Sequence, residues 1–400
     1  MLRSVIARYF VVAISLVFIG CDSLNESSSI SPSSVNLPGN LVQVSDAKDV
    51  LKSTSTNSIP KTINGIEFSN IRGWLANLYP WEYAPQWSAV HPVSNLWTSN
   101  QKPSLFQVAE QCRQIKEFGG GAAVLEYSTN PNLDWHNYWV SNGFAGECGP
   151  FFLLYEHVNG TLFIPVDGFK DMNNPYNRQV FKDDIDFMFK NVIVPNQSRY
   201  VTAGGRAVIY MWSSVQMEGD FASLLEEVKK EYPVFFIGSG EGWDMPKGAD
   251  NIARVKALDG LMEYSVGGSA SYLKAVQDYQ KTSFSWRSYL RKLEVETGKK
   301  RLLIPTFQAA YDDTNVVPKR NNPPMYARSR DEVKYHAEMI RSGMGSVYDT
   351  IGPFVVYSEL PEGAAVIESQ CLPATMDMPG RFVGCGTGRL QILKEYFGGM

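Results

Sequence analysis

Two glutamates three residues apart, Glu359 and Glu362, sit on either side of Leu360-Pro361. They follow the apolar run Phe354 to Tyr357, which reads as a buried strand. Paired carboxyls on one short loop can do general acid–base work on a single bond, one giving a proton while the other takes one. A strand that ends in two acids and Gly363 also matches the rim of an active site, because buried strands deliver their last residues into a mouth. Solvated acids at a strand end would look the same, so the other strand ends must be read with this one.

The elements that would position the pair form a regular series. Apolar runs predict strands over Ile71 to Tyr79, Ala122 to Tyr127, Phe151 to Tyr155, Ala207 to Trp212, Pro233 to Gly238, Gly260 to Ser265, Arg301 to Gln308 and Phe354 to Tyr357. Helical periodicity falls between them. Ser104 and Gln107 form a capping box for a helix to Phe118, stopped by Gly119-Gly120-Gly121. Gln179 to Val194 is helical, with Pro195 beyond it, and Asp220 caps a helix to about Glu231. Asn251 to Ala257 is a short helix, and Ser269 to Thr297 holds one long helix or two shorter ones. Ser329 and Glu332 form a second capping box for a helix to about Gly343, and Gly388 to Phe397 closes the chain as a helix.

Strands apolar on both faces belong to parallel sheets. Eight of them alternating with helices point to an α/β chain with a (β/α)8 TIM barrel. A doubly wound open sheet is the alternative. No glycine fingerprint follows the first strand, which argues against a dinucleotide fold. The glycine runs at 119–121, 204–205 and 267–268 match no phosphate loop.

In such a barrel the functional residues gather at the carboxyl ends of the strands. Those ends are Tyr79-Pro80-Trp81, Glu126, Glu156-His157, Trp212, Glu241, Tyr264, Tyr311-Asp312-Asp313, and Glu359 with Glu362. They make a ring of acids and aromatics. Glycoside hydrolysis needs a proton donor and a second carboxylate near the anomeric carbon, and aromatic faces supply a platform for sugar rings. Glu156 could equally pair with an arginine inside the barrel, and Tyr79 and Trp81 could be plain core. A satisfied structural role fits His157 better than a proton shuttle. His91, His136 and His336 have no metal-ligand spacing, and Ser213-Ser214 lacks a nucleophile elbow. Neither a metal nor a cofactor is expected.

These strand ends resemble glycoside hydrolase family 99 and its relatives, which are endo-acting α-mannosidases and α-mannanases. Tyr79-Pro80-Trp81 with Trp87 is similar to the Tyr-Pro-Trp signature of the family's first strand. Phe152-Leu153-Leu154-Tyr155-Glu156 is similar to its third, and Gly205-Arg206-Ala207-Val208 to its Gly-Arg-Pro-Val strand. Tyr311-Asp312-Asp313-Thr314 is similar to its Tyr-Asp-Asp/Asn-Thr segment. Ser358-Glu359-Leu360-Pro361-Glu362-Gly363 with Ile367-Glu368 matches the spacing of its Asn-Glu-Trp-x-Glu-Gly…Ile-Glu pattern. The family's Asn and Trp are Ser358 and Leu360 here, so the chain resembles a divergent relative. The resemblance implies Glu362 as general acid/base. It implies Glu359 as the base that helps the substrate's 2-hydroxyl attack the anomeric centre, through a 1,2-anhydro sugar and a retaining course. Tyr79, Trp81, Glu126, Glu156, Tyr264 and Asp312 would line the sugar site.

The first residues read as a targeting signal. Arg3 and Arg8 precede the apolar run Tyr9 to Ile19, which is too short to span a bilayer. It ends at Phe18-Ile19-Gly20-Cys21, which resembles a bacterial lipobox with Cys21 as the lipid anchor. An ordinary secretory signal with a chance cysteine is the alternative. The segment 21–60 is rich in Ser, Asn, Thr and Pro, and cannot bury enough apolar surface to order itself. The expected organisation is therefore a signal peptide over 1–20, a tether over 21–60 and one barrel over 61–400. Location would be the bacterial cell envelope, lipid-anchored.

Four further cysteines in an exported chain permit two disulfides. Cys371 and Cys385 lie close in a loop and form the first pair; Cys112 and Cys148 follow by elimination. Free buried thiols would fit the sequence as well. A net charge of −4 gives no electrostatic reason to expect nucleic acid. Nine Trp and twenty Tyr among 400 residues suit an oligo- or polysaccharide partner, though large cores use such residues too. The chain is expected to be a monomer. A non-catalytic glycan-binding lipoprotein on the same barrel is the competing function, and a role in envelope polysaccharide synthesis is a third.

Overall fold

A computed structural model describes residues 61–69, 71–78, 92, 93, 95, 96, 104–127, 148–157, 163, 165, 166, 169–239, 245–267, 271–313, 324–327, 329–345, 347–360, 363–370 and 386–400. The chain enters through a hairpin of β1 (Lys61–Ile63) and β2 (Ile66–Ser69). Asn64 and Gly65 form its two-residue loop with φ of 49° and 75°, the paired positive values that suit a hairpin twist. This hairpin is absent from the sequence reading, although Asn-Gly between two isoleucines is a hairpin signal.

The apolar runs become the parallel strands β3 (Trp74–Leu78), β4 (Gly120–Tyr127) and β5 (Phe151–Tyr155). A small sheet follows, built from β6 (Pro165–Val166) and β7 (Phe169–Asp171). Next come β8 (Thr202–Ala203), β9 (Arg206–Met211), β10 (Met217–Glu218), β11 (Val234–Gly238) and β12 (Gly260–Met262). The expected seventh strand splits into β13 (Leu302–Ile304) and β14 (Thr306–Phe307) around Pro305, which has no N–H to give a ladder. β15 (Ala310–Tyr311) and β16 (Met325–Tyr326) pair with each other, and β17 (Phe354–Val356) is the last strand.

The parallel neighbours run β14, β17, β3, β4, β5, β9, β11, β12, β13. The hairpin adds to this sheet through β8, which pairs antiparallel with both β2 and β9. The sheet is curled. The Tyr210 ring of β9 lies 5.5 Å from Phe354 of β17, four strands away along the pairing order, and Tyr264 beyond β12 lies 6.0 Å from the same ring. Chains of this kind are α/β, with strands buried on both faces because helices cover the outside.

The helices are α1 (Leu105–Glu117), α2 (Pro175–Met188), α3 (Phe221–Glu231), α4 (Ala249–Ala257), α5 (Tyr272–Thr297), α6 (Arg330–Gly343) and α7 (Gly388–Phe397). The capping box of α1 is present in both arms, Ser104 N–H to Gln107 Oε1 at 2.8 Å and Gln107 N–H to Ser104 Oγ at 3.3 Å. On α6, Ser329 Oγ accepts the Glu332 N–H at 3.2 Å. α5 is a single helix of 26 residues, ended by Gly298 at φ 69°. α2 corrects the sequence reading. It starts at Pro175, capped by Asn174, and winds on through a π turn over Phe189–Ile193 into a 3-10 turn, Val194–Asn196, that contains Pro195. Proline is tolerated in the first positions of such a turn, where its missing N–H costs nothing.

The glycine run 119–121 has a packing reason. A methyl on Gly121 would overlap the Arg72 carbonyl oxygen, and one on Gly73, at φ 70°, would overlap that of Gly119. Cys112 of α1 is joined to Cys148 by a disulfide, Cα to Cα 4.7 Å, tying the outer helix to the chain entering β5. Cys21, Cys371 and Cys385 lie outside the described residues.

Candidate active site

Side chains alternate between the two faces of a strand, and paired parallel neighbours point the same way. Tyr210 and Phe354 touch across the sheet, so their positions mark its inward face. Register then carries that face outward along each strand. Leu154 pairs with Tyr210, and Glu126 pairs with Leu154, so Glu126 is inward. Glu156 is two residues beyond Leu154, and its N–H continues the ladder to Tyr127 O at 2.9 Å, so it is inward as well. Trp212, two beyond Tyr210, donates its N–H to Tyr155 O at 3.2 Å, and its ring stands edge-on to Tyr264 at 6.4 Å.

Tyr264 links this wall to the last strand. Its hydroxyl lies 3.5 Å from Glu359 Oε2. Four carboxylates of the expected site, Glu126, Glu156, Asp312 and Glu359, are therefore buried at strand ends, while Tyr264 is half-buried. Asp312 follows β15, and its neighbour Asp313 accepts the Tyr311 hydroxyl at 2.9 Å. Glu362, Tyr79 and Trp81 lie outside the described residues.

The loop carrying Glu359 is fixed from behind. Tyr357 points outward, donating to Gln114 Oε1 of α1 at 2.7 Å, and stacks on Trp74. Gln114 also bonds Glu368, through its Nε2 to Glu368 Oε2 and from the Glu368 N–H to its Oε1, both at 3.1 Å. The turn folds back on Tyr357, whose carbonyl accepts the N–H groups of Val366 and Ile367 at 3.1 Å. From α7, buried Arg389 donates to the carbonyls of Gly363, at 3.3 Å, and Ala365. Burial draws the Arg389 pKa down to about 10, yet the guanidinium stays charged at neutral pH.

A second polar group stands behind Glu156. Ser213 adopts φ 50°, a left-handed conformation rare outside glycine, and turns the chain sharply off the end of β9. Its carbonyl faces His157 Nε2 at 3.2 Å, and its N–H donates to Ser239 Oγ at 3.0 Å. Burial, with Lys170 nearby, drops His157 to about 3, so it is neutral at physiological pH. His157 is thus held structurally. His336 is too: its Nδ1 lies 3.1 Å from the Tyr272 hydroxyl and 3.2 Å from Gln308 O, and it stacks on Phe307.

Three features escaped sequence reasoning. Asn77, on the inward register of β3 beside Val356 and Val124, buries an amide that finds no hydrogen-bond partner. Arg389 and Lys170 reach the strand ends from distant segments. The Asn77 signal was visible as a polar residue inside an apolar run; the other two had none. Among the described residues no group of His, Cys, Asp and Glu is placed to hold a metal.

No known family profile matches the chain, and no curated protein matches it by sequence. Solved structures do. One described as a glycoside hydrolase-like protein superposes with a TM-score of 0.58 at 15% identity, covering 88% of this chain and 99% of its own. The chain shares the fold of glycoside hydrolase family 99. The GH99 endo-α-mannosidase from Bacteroides thetaiotaomicron matches in complex with bis-tris-propane, with a TM-score of 0.56, 14% identity, and coverage of 81% and 96%. Another structure of that enzyme gives 0.54 and 11% over the same shares. At these identities the likeness fixes the fold, and any activity must come from the residues themselves.

Proposed function

We propose that this domain is a glycoside hydrolase that cuts within an α-linked, mannan-like glycan. The observation that carries the reading is the Tyr264 hydroxyl 3.5 Å from Glu359 Oε2, on the inward face that also holds Glu126, Glu156 and Trp212. Such a wall offers carboxylates for acid–base chemistry and aromatic rings for sugar faces. The closed (β/α)8 barrel belongs to this proposal. It is supported by the split seventh strand, whose β13 half pairs toward β12 and whose β14 half pairs toward β17.

In the proposed reaction Glu359 accepts the proton of the substrate's 2-hydroxyl as that oxygen attacks the anomeric carbon. Glu362 gives a proton to the departing glycosidic oxygen. Water then opens the 1,2-anhydro sugar at the anomeric carbon, giving a proton to Glu362, while Glu359 returns its proton to the 2-oxygen as the C1–O2 bond breaks, and the configuration is retained. Glu126, Glu156, Tyr264 and Asp312, with Tyr79 and Trp81, contact the sugar. The domain would be exported and lipid-anchored through Cys21, with residues 21–60 as the tether.

A screen of the exported domain against defined α-linked oligosaccharides tests this. Cleavage within the chain, with retention at the anomeric carbon and no turnover of a 2-deoxy substrate, is expected. The burial of Leu360, where the family presents Trp, favours a second reading, a glycan-binding barrel without chemistry, because no aromatic is offered there. Binding without cleavage by the wild type would select that reading.

A further inference from the structure

Ser213 sits in the left-handed region, at φ 50° and ψ 42°, where the Cβ of an L residue crowds the following carbonyl oxygen. Such strain persists only where the surroundings hold it, and it gathers at functional sites. Here the ends of β5, β9 and β11 hold it together. The Ser213 N–H donates to Ser239 Oγ beyond β11. Ser214 ties the same turn to Ser239, its Oγ donating to Ser239 O at 2.9 Å and accepting the Ser239 N–H at 3.1 Å. From beyond β5, His157 Nε2 meets the Ser213 carbonyl at 3.2 Å. A carbonyl only accepts, so Nε2 carries the imidazole proton, and burial keeps the ring neutral, which leaves Nδ1 bare. His157 is fully buried, and its Nδ1 finds no hydrogen-bond partner among the described residues. An imidazole buried with one nitrogen unsatisfied is a costly way to fill space, so its bond to the turn needs a reason.

We propose that His157 is a positioning residue: by holding Ser213 in its left-handed turn, it sets the aim of the Trp212 ring as a sugar platform. The proposal rests on the glycan reading of that wall. Trp212 lies directly before the turn, on the inward register set by Tyr210, and its N–H donates to Tyr155 O at 3.2 Å. It is half-buried, which leaves part of its surface open. Its edge contact with Tyr264, at 6.4 Å, carries the alignment on to the hydroxyl beside Glu359. Were Ser213 to relax into a right-handed or extended backbone, the chain would leave β9 in another direction and Trp212 would lose this alignment. His157 is buried behind the wall and acts through Trp212.

Nitrogen-15 NMR of the purified full-length protein, labelled at its four histidines, tests the hydrogen bond, with His157→Gln to assign the signal. His157 should show the neutral tautomer protonated at Nε2; a proton on Nδ1 instead would overturn the proposal. Fluorine NMR with 5-fluorotryptophan tests the aim, with Trp212→Phe to assign the signal. That signal should shift in His157→Leu, which lacks a donor, and lie near its wild-type position in His157→Gln, whose amide can donate. An unmoved signal in His157→Leu overturns the positioning role. Glycine takes the left-handed turn without strain, so His157 should matter less in Ser213→Gly. Binding of a defined α-linked manno-oligosaccharide should weaken about tenfold in His157→Leu, the scale of one lost hydrogen bond, and about twofold or less when Ser213→Gly is already present. Equal losses in both backgrounds would assign His157 to packing and overturn the proposal; melting curves check that each variant is folded. Trp212→Ala should also weaken binding about tenfold, and unchanged affinity would overturn the platform. If the wild type binds none of the oligosaccharides, the glycan reading fails, while the tautomer and the Trp212 signal still decide whether His157 positions the turn.

Discussion

Where the parallel strands begin, glycine backbones touch; where they end, carboxylates meet aromatic rings. At the first end a methyl on Gly121 would overlap Arg72, one on Gly352 would overlap Gly73, and one on Gly119 would overlap Gly398 beyond α7. At the other end Glu126, Glu156 and Glu359 are buried, Ser213 is held left-handed, and Tyr264 reaches Glu359. Buried acids and backbone strain are tolerated only where surrounding structure holds them, and here that structure is the close-packed opposite end and the helices. The contrast separates positions that stabilise from positions that can do chemistry.

Substitutions can break this division. The largest effect is expected from Gly121→Ala, which forces backbone apart at the tight end. It should lose about 3 kcal/mol or more of stability, read by denaturant unfolding, or fail to fold. Glu126→Gln at the other end should leave the unfolding midpoint nearly unchanged. Arg389→Met comes next. It leaves the carbonyls of Gly363 and Ala365 without their donor and should cost about 1–3 kcal/mol. Turnover should fall as well, since that loop carries Glu359, whereas Gly121 variants that fold should keep their kcat.

Acid sharpens the same comparison. Burial holds His336 near 4 and His157 near 3, both below the unfolded value of 6.5. The unfolded chain therefore binds protons first as pH falls through about 6.5, so stability is full above that pH and declines toward the folded values. Thermal melts should show this decline, and His336→Gln should make it shallower. The smallest effect is expected from Tyr264→Phe. Removing one hydroxyl at 3.5 Å should weaken glycan binding or turnover about two- to tenfold and leave stability intact.

Much of the fold was legible because its strands are apolar on both faces and its helices carry local caps. Ser104 with Gln107, Asp220, and Gly298 act within a few residues of themselves, so composition reveals them. The hairpin at Asn64-Gly65 is equally local, but its strands of 3 and 4 residues are too short to show a period. The start of α2 depended on Asn174 and Pro175 rather than on periodicity. At the candidate site, the positions of Glu126, Glu156, Tyr264 and Glu359 followed from where the apolar runs stop. The supports behind them did not. Lys170 reaches Gln216 through pairing between β7 and β10, and Arg389 reaches the Glu359 loop from α7. Contacts of that range are set by tertiary packing, and no pattern within a short window encodes them. The Cys112–Cys148 disulfide is a further case, found by elimination rather than by any local signal.

If the acids at the end of the last strand perform chemistry rather than line a surface, their amide variants should lose turnover and keep binding. The direct measurement is hydrolysis of a defined α-linked manno-oligosaccharide by the wild type, Glu359→Gln and Glu362→Gln, with binding and melting temperature followed in parallel. Each variant should lose about 10²–10⁴-fold in turnover while binding the glycan and melting nearly as the wild type does. Wild-type cleavage that persists at the same rate in both variants would contradict the account.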